Sequence, residues 1–345
     1  MNPFAFSQAQ NVDAALPLLA LEDARPVAGG TNLLDLMKEG VMTPSQLVDI
    51  NPLEHAGLDV IEEHEGGLRL GALARNAATA YHDTVRSRYP LLSAAILAGA
   101  SPQLRNMATD GGNLLQRTRC VYFYDVGTPC NKREPGTGCP AKNGINRTLA
   151  ILGTSEQCIA THPSDMCVAL RALDATVHVR SANGGERAIP FADFHRLPGD
   201  TPHIDTNLQP GELITYITLP DAARFIDHAA YIKVRDRLSY AFALVSVAAA
   251  LDLDGGTIRA ARIALGGVAH KPWRVEEAEA QLVGKPAGEA AFEAAAERIL
   301  QGARGYGQND FKLTLAKNAI VQALTTAMRG TDFAKRSTDA KRGTE

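Results

Sequence analysis

Short apolar runs alternate with helical patterns through the first half of the chain. Residues 24–40, ARPVAGGTNLLDLMKEG, read as strand, glycine turn and helix. SQLVDI is a strand, and in LDVIEEHEGGLRLGAL two strands close on a Glu-Gly-Gly turn. YPLLSAAILAGA carries a helical run ending near Gly99. The stretch from His162 to Phe194 predicts helix, strand, Gly-Gly turn and strand. In ELITYITLP, Leu213, Thr215, Ile217 and Leu219 recur at period two, which predicts one face of a strand.

A second unit begins near residue 222. YIKVRD is a strand, and FALVSVAAALDLDGGTIRAARIALGGVA is a long hairpin around Asp254, Gly255 and Gly256. Helices follow. In the last, Asp310 is the expected N-cap, Gly330 the stop, and Leu313, Lys317, Ile320, Leu324 and Met328 mark a face at helical spacing. Residues 331–345 are polar and predict a disordered tail. The division expected is 1–221, split into 1–60 and 61–221, then 222–330.

Composition narrows the class. The 345 residues suffice for two or three domains, and 45% hydrophobic residues can build real cores. A net charge of -3 argues against a general nucleic-acid binder. No apolar run reaches the roughly 20 residues that span a bilayer. The first residues lack a basic n-region, so no secretory signal is expected. That suggests cytoplasmic folding and leaves export alongside a signal-bearing partner open. Four of the five cysteines fall between 120 and 158, which reads as a site rather than a disulfide framework.

Two stretches offer backbone chemistry. In PVAGGTNLLDLMK, successive amides of Ala28, Gly29, Gly30, Thr31 and Asn32 can face one concavity and bind phosphate. A plain strand–helix turn is the bland alternative. ASPQLRNMATDGGNLLQR brings a second pair of glycines, Gly111 and Gly112, flanked by Thr109 and Asn113. Two such loops can close on a diphosphate from opposite sides. HPSDM places Asp165 in a first helical turn, as a dipole partner or an acceptor for a ribose.

Taken in order, AGGTNLL, ASPQLRNMATDGGNL, HPSDM, YIK and SYAFALVSVA resemble the FAD-binding medium subunit of the xanthine dehydrogenase and aldehyde oxidoreductase family of molybdenum hydroxylases. The likeness runs from about residue 1 to 330. It implies an α+β fold: a two-part FAD-binding domain of the vanillyl-alcohol-oxidase type, then a smaller α/β domain. It also implies that the pyrophosphate lies on Val27, Ala28, Gly29, Gly30, Thr31, Asn32, Leu33 and Leu34. Thr109, Gly112 and Asn113 match the second loop, and Asp165 the residue at the adenosine. Ile214 and Lys233 match positions beside the isoalloxazine, where a cation would raise the flavin potential. Relatives with an aromatic ring before the second glycine loop differ here, where Gly99 stands; Tyr240 is then the stacking candidate.

The segment RCVYFYDVGTPCNKREPGTGC belongs to an insertion, about 117–158, that most of the family lacks. Cys120, Cys130, Cys139 and Cys158 stand at steps of 10, 9 and 19. Four thiolates suit a tetrahedral zinc or a [4Fe–4S] cluster. No tight C-x2-C pair is present, and wide steps suit a larger object. The insertion resembles that of the flavin subunits of three-subunit periplasmic aldehyde oxidoreductases and of 4-hydroxybenzoyl-CoA reductase, which hold a [4Fe–4S] cluster. The metal is expected to supply most of the loop's order. Arg117, Arg119, Lys132, Arg133 and Lys142 against Asp125 and Glu134 leave a local charge of five minus two, +3. Cys167, inside a helical run, reads as a buried free thiol.

The resemblance implies an electron-transfer subunit rather than a catalyst acting alone. A molybdenum-cofactor large subunit oxidises an aldehyde, a small subunit with two [2Fe–2S] clusters carries the electrons, and FAD here delivers them to an external acceptor that the sequence does not name. A reductase acting on an aromatic acyl-CoA, a standalone FAD oxidase and a zinc-stabilised binding module are the alternatives. The [4Fe–4S] cluster is read equally as relay or structural clamp.

Overall fold

The computed structural model describes residues 1–331; the expected tail lies, beyond Thr331, outside the described residues. Three sheets organise an α+β fold. The first is parallel, in the order β1 (Ala5–Gln8), β3 (Gln46–Asp49), β2 (Ala24–Val27). The helix Val12–Leu19 joins β1 to β2 and is capped by Asn11, whose side chain accepts from Ala14 N at 2.8 Å. Leu16, Leu19, Val48 and Leu53 form the small core between them.

The second sheet is antiparallel. Its strands are β4 (Ile61–His64), β5 (Gly67–Gly71), β6 (Thr176–Arg180), β7 (Glu186–Pro190) and β8 (Leu213–Leu219), in the order β4-β5-β8-β6-β7. The β4–β5 turn uses Glu65 and Gly66 at φ 49° and 79°, a hand that suits strand twist. Gly67 serves something else. A Cβ there would lie 2.0 Å from the Leu219 carbonyl oxygen, so this glycine lets β5 approach β8.

The single face expected of β8 does not survive. Pairing with β6 slips from His178↔Tyr216 to Val179↔Ile214, so Thr215 bulges out. Its hydroxyl bonds the His178 carbonyl at 3.2 Å. The bulge reverses the pleat. Leu213 therefore packs into the N-terminal core, while Ile214, Ile217 and Leu219 join the main core. That main core also buries the helices Pro90–Ala98 and Asp165–Ala172.

The third sheet is an antiparallel meander in the order β11-β10-β9. Its strands are β9 (Ala229–Val234), β10 (Val245–Asp254) and β11 (Thr257–Gly266), and Gly255 and Gly256 turn the hairpin at positive φ as expected. The helix Phe311–Met328 packs against it. Of the face marked by the larger residues, Ile320 and Leu324 are buried and Leu313 and Met328 pack against the core, but Lys317 does not join them. Ala316, Ala319, Ile320, Ala323, Leu324 and Ala327 face inward, while Lys317 lies outside and pairs with Glu297 at 2.9 Å. Small residues let the helix axis sit close to the sheet. Asp310 does not cap this helix either; its carboxylate accepts from Gly307 N at 2.9 Å.

Lys312 pins this helix to the cysteine insertion. It is fully buried and donates to Leu149 O at 3.0 Å and Gly267 O at 2.8 Å. Burial pushes its pKa down to about 7. The insertion itself holds more apolar surface than expected. Phe123, Ala141, Leu149 and Ile159 bury beside Leu36 and two of the cysteines. The loop thus has a packed apolar core of its own, against the expectation that a metal would supply most of its order. No helix among the described residues is long and apolar enough to cross a membrane.

The alanines of the seam are almost completely buried. Ala323→Leu is expected to cost about 1–3 kcal/mol through overpacking. Urea unfolding should show a lower midpoint at unchanged slope.

Candidate cofactor sites

β2 ends at Val27, and the chain then turns through Gly29 and Gly30 into the helix Leu33–Lys38. Gly30 takes φ +71°. Gly29 is required by proximity: a Cβ there would lie 1.9 Å from the Met107 carbonyl oxygen. The first glycine loop thus touches the segment leading into the second. Arg75 locks the contact, donating to Met107 O at 2.7 Å and Asn51 Oδ1 at 3.2 Å, while Asn51 donates to Ala28 O at 3.2 Å. Among the described residues, the amides of Gly29, Gly30, Thr31 and Asn32 find no backbone acceptor. Unpaired amides converging on a concavity form an anion cradle.

A cavity of about 790 Å³ opens on this cradle, and a neighbouring cleft of about 200 Å³ lies on its other side. The larger volume falls within the roughly 300–1,000 Å³ of cofactor pockets. All the residues expected at the flavin line one or the other. Leu34, Asn113, Asp165 and Lys233 face the large cavity. Val27, Ala28, Leu33, Thr109, Gly112 and Ile214 face the smaller cleft. Gly29, Gly30, Thr31 and Asn32 form the wall between the two.

The detailed roles differ from expectation. Lys233 Nζ contacts Asp165 Oδ2 at 2.7 Å and Ala98 O at 3.0 Å, and the Tyr231 hydroxyl donates to Asp165 Oδ1 at 2.7 Å. Lys233 and Asp165 therefore occupy the same part of the cavity, not opposite ends of an extended dinucleotide. The lysine charge is answered by the carboxylate, which weakens its expected pull on the flavin potential. Asn113 is also engaged: it donates to Asn76 Oδ1 at 2.7 Å and accepts from the Ser164 hydroxyl at 2.5 Å. Tyr240 lines the cavity from an exposed loop at φ 53°.

Asp110, the first residue of DGGN, carries no local sequence signal of its burial. Fully buried, it accepts from Asn76 Nδ2 and Thr79 Oγ1, each at 2.6 Å. Burial raises its pKa to about 7, against the pull of those two donors. It ties the second glycine loop to the helix Asn76–Tyr81.

The four insertion cysteines converge on one small cleft together with Lys132 and Phe123. Cys120, Cys130 and Cys158 are buried and Cys139 is partly so. Among the described residues, no three of these sulfurs lie within 4.8 Å of one another. Nearby backbone N–H groups favour the thiolates, most directly Ala160 N, which lies 3.4 Å from Cys158 Sγ. Burial outweighs these donors and pushes the Cys120 thiol up to about 11 and Cys158 to about 12.

The expected +3 excess is answered by Asp205 and Asp35 outside the loop and by Glu156 within it. Arg117 pairs with Asp205 at 2.8 Å, and Lys132 also bonds Asp205. Burial would raise the Asp205 carboxyl, but the two cations hold it well below the usual range. Lys142 pairs with Glu156. Arg119 pairs with Asp35 at 3.1 Å, reaches Asn32 Oδ1 at 2.7 Å, and lies 5.0 Å from the centre of the Phe242 ring. Arg119, next to Cys120, thus joins the cysteine loop to the glycine cradle.

A profile described as "FAD binding domain in molybdopterin dehydrogenase" matches residues 2–222, and "CO dehydrogenase flavoprotein C-terminal domain" matches 229–327. This chain belongs to the FAD-binding subunits of the molybdenum hydroxylase family. As such a flavin subunit it is 52% identical, over 95% of its length and 99% of the relative, to "Aldehyde oxidoreductase FAD-binding subunit PaoB" of Escherichia coli (strain K12). It is 31% identical to the "Glyceraldehyde dehydrogenase medium chain" of Sulfolobus acidocaldarius, over 82% of each chain. Among solved structures, the flavin subunit is similar to a chain of carbon monoxide dehydrogenase from Hydrogenophaga pseudoflava. The TM-score is 0.73 at 27% identity, covering 94% and 97% of the two chains.

The cradle fits the FAD that the family implies, through its unpaired amides, its shape and its volume. Gly29→Ala is expected to force the two glycine loops apart and abolish FAD retention, read as flavin per chain after gel filtration. Asp110 sets a pH signature. Its folded pKa lies above the unfolded value of 3.8, so the native state holds a proton that the unfolded chain has released between about pH 4 and 7. Stability falls as pH rises through that window, by of order 4 kcal/mol. Asp110→Asn should remove this slope in denaturation midpoints, matching wild type near the acid end and exceeding it at alkaline pH.

Proposed function

We propose that this chain is the electron-transfer subunit of a molybdenum-containing aldehyde oxidoreductase, working between a [2Fe–2S] small subunit and an external acceptor. The observation that carries the reading is the cavity between two glycine loops held in contact at Gly29 and Met107. The 52% identity to an aldehyde oxidoreductase subunit supports the substrate class of the assembly, whose large subunit carries the molybdenum. FAD, when bound, links one-electron delivery to two-electron transfer.

The chain's own residues bind and orient. Amides of Gly29 to Asn32 receive the diphosphate, and Gly112 gives the second loop its close approach. The Asp165–Lys233 pair, buried with Tyr231, supplies fixed polar partners without a net charge. Ile214, turned inward by the Thr215 bulge, covers the smaller cleft.

We further propose that Cys120, Cys130, Cys139 and Cys158 hold a [4Fe–4S] cluster. A single zinc with bonds of about 2.3 Å draws its sulfurs to within about 4 Å of one another. The wider arrangement here supports a multi-iron centre, as does the Ala160 amide at the Cys158 sulfur.

The test is spectroscopy and analysis of anaerobically purified chain. Flavin bands over a broad iron–sulfur shoulder, about four irons and one FAD per chain, and co-purifying small and large subunits are expected. Cys130→Ser should lose iron and sulfide. A colourless protein with one zinc would defeat the reading, and so would substrate turnover by the isolated chain.

A further inference from the structure

Behind the wall of the flavin cavity lies a cluster that neither site above uses. His162, Cys167 and His195 are buried, and one nitrogen of each imidazole and the cysteine sulfur lie within 4.8 Å of one another. The two rings lean together with centroids 4.3 Å apart at 59°. His162 and Cys167 flank the start of the helix Asp165–Ala172, and His195 arrives from the turn after Phe191–Phe194.

Polar satisfaction sets this pocket apart from ordinary core. His195 Nε2 meets the Leu114 carbonyl oxygen at 2.8 Å, which places its proton there and leaves Nδ1 as a bare lone pair. Among the described residues, Nδ1 has no partner. One imidazole nitrogen on a carbonyl and the other free is how ligating histidines are oriented. His162 accepts a long 3.4 Å contact from Ser164 N at Nδ1, and its Nε2 also has no partner. His162 is 8% exposed and His195 3%, so water cannot reach these nitrogens freely. Buried polar atoms are rarely left unpaired, and two beside one thiol call for a ligand. Burial keeps all three groups neutral. It pushes Cys167 up to about 12, His195 down to about 4, and His162 well below its usual range.

We propose that His162, Cys167 and His195 form a buried three-coordinate site for a soft monovalent cation of the copper(I) class, separate from the cysteine loop. Thiolate and imidazole select such an ion. Charge selects it further: one thiolate, two neutral imidazoles and a monovalent cation sum to zero. A divalent ion would leave a net positive charge in a dry pocket, because Asp205, the carboxylate felt by both imidazoles, is already engaged by Lys132 and Arg117. Binding forms one metal–sulfur and two metal–nitrogen bonds and releases the Cys167 thiol proton; no electron is transferred. His162 carries its ring proton on Nδ1 and gives up the Ser164 contact. The donors draw in by about 1 Å to reach bonds of roughly 2.0–2.3 Å. The ion then staples the segment 162–167, whose Pro163, Ser164 and Asp165 line the flavin cavity, to the turn at His195.

The test uses the full-length, cofactor-loaded chain, equilibrated anaerobically with chelator-buffered copper(I) and, in parallel, zinc(II). One copper per chain with a single sulfur and two nitrogen neighbours by X-ray absorption is expected. Affinity should fall more than tenfold in Cys167→Ser, which keeps the volume, and in His195→Gln, with flavin content unchanged. Equal copper binding by wild type and Cys167→Ser overturns the site. So does preferential zinc occupancy, or a crystal structure in which a water alone bridges the two imidazoles.

Discussion

Two backbone segments far apart in sequence meet at one glycine. Gly29 rests against the Met107 carbonyl with no room for a methyl group, and Arg75 closes the gap from the side. Everything the cavity offers follows from this contact. It brings the two glycine loops to one wall and fixes the spacing between the parallel sheet and the larger antiparallel sheet. It also leaves the amides of Gly29 to Asn32 facing open space rather than each other. They lack an acceptor within the chain, which is what suits them to an anion.

The same logic of contact over long range governs the cysteine insertion. Phe123 and Leu149 give it a small core, but its position is set by ion pairs and carbonyl contacts to distant elements. Lys132 reaches Asp205 and His270, Lys312 reaches back to Leu149, and Asn309 bonds the Leu149 and Ala150 carbonyls. These partners lie outside the insertion, so its apparent basicity is neutralised on folding. The four thiols end up lining one cleft, three of them buried.

Much of this was legible in the sequence because it rests on local chemistry. The Gly255–Gly256 hairpin, the β2–glycine–helix turn and the cysteine spacing each declare themselves within a few residues. What escaped depends on contacts that no local pattern encodes. The bulge at Thr215 breaks a period-two pattern that reads as regular until β6 is placed beside it. The last helix packs most of the face its larger residues marked, but it also buries a row of alanines and leaves Lys317 outside. Asp165 and Lys233 looked like separate partners for two ends of a cofactor, and only the fold makes them a pair. Asp110 drew no notice because a carboxylate in a glycine turn is usually solvated.

Arg119 belongs to both halves of the site. It follows the chain into Cys120, yet its guanidinium rests on Asn32, Asp35 and Phe242 beside the glycine cradle. An insertion that has not settled withdraws this arginine, and the cradle then lacks one of its walls. The order of the thiol loop and the shape of the nucleotide cavity are thus linked mechanically through one guanidinium.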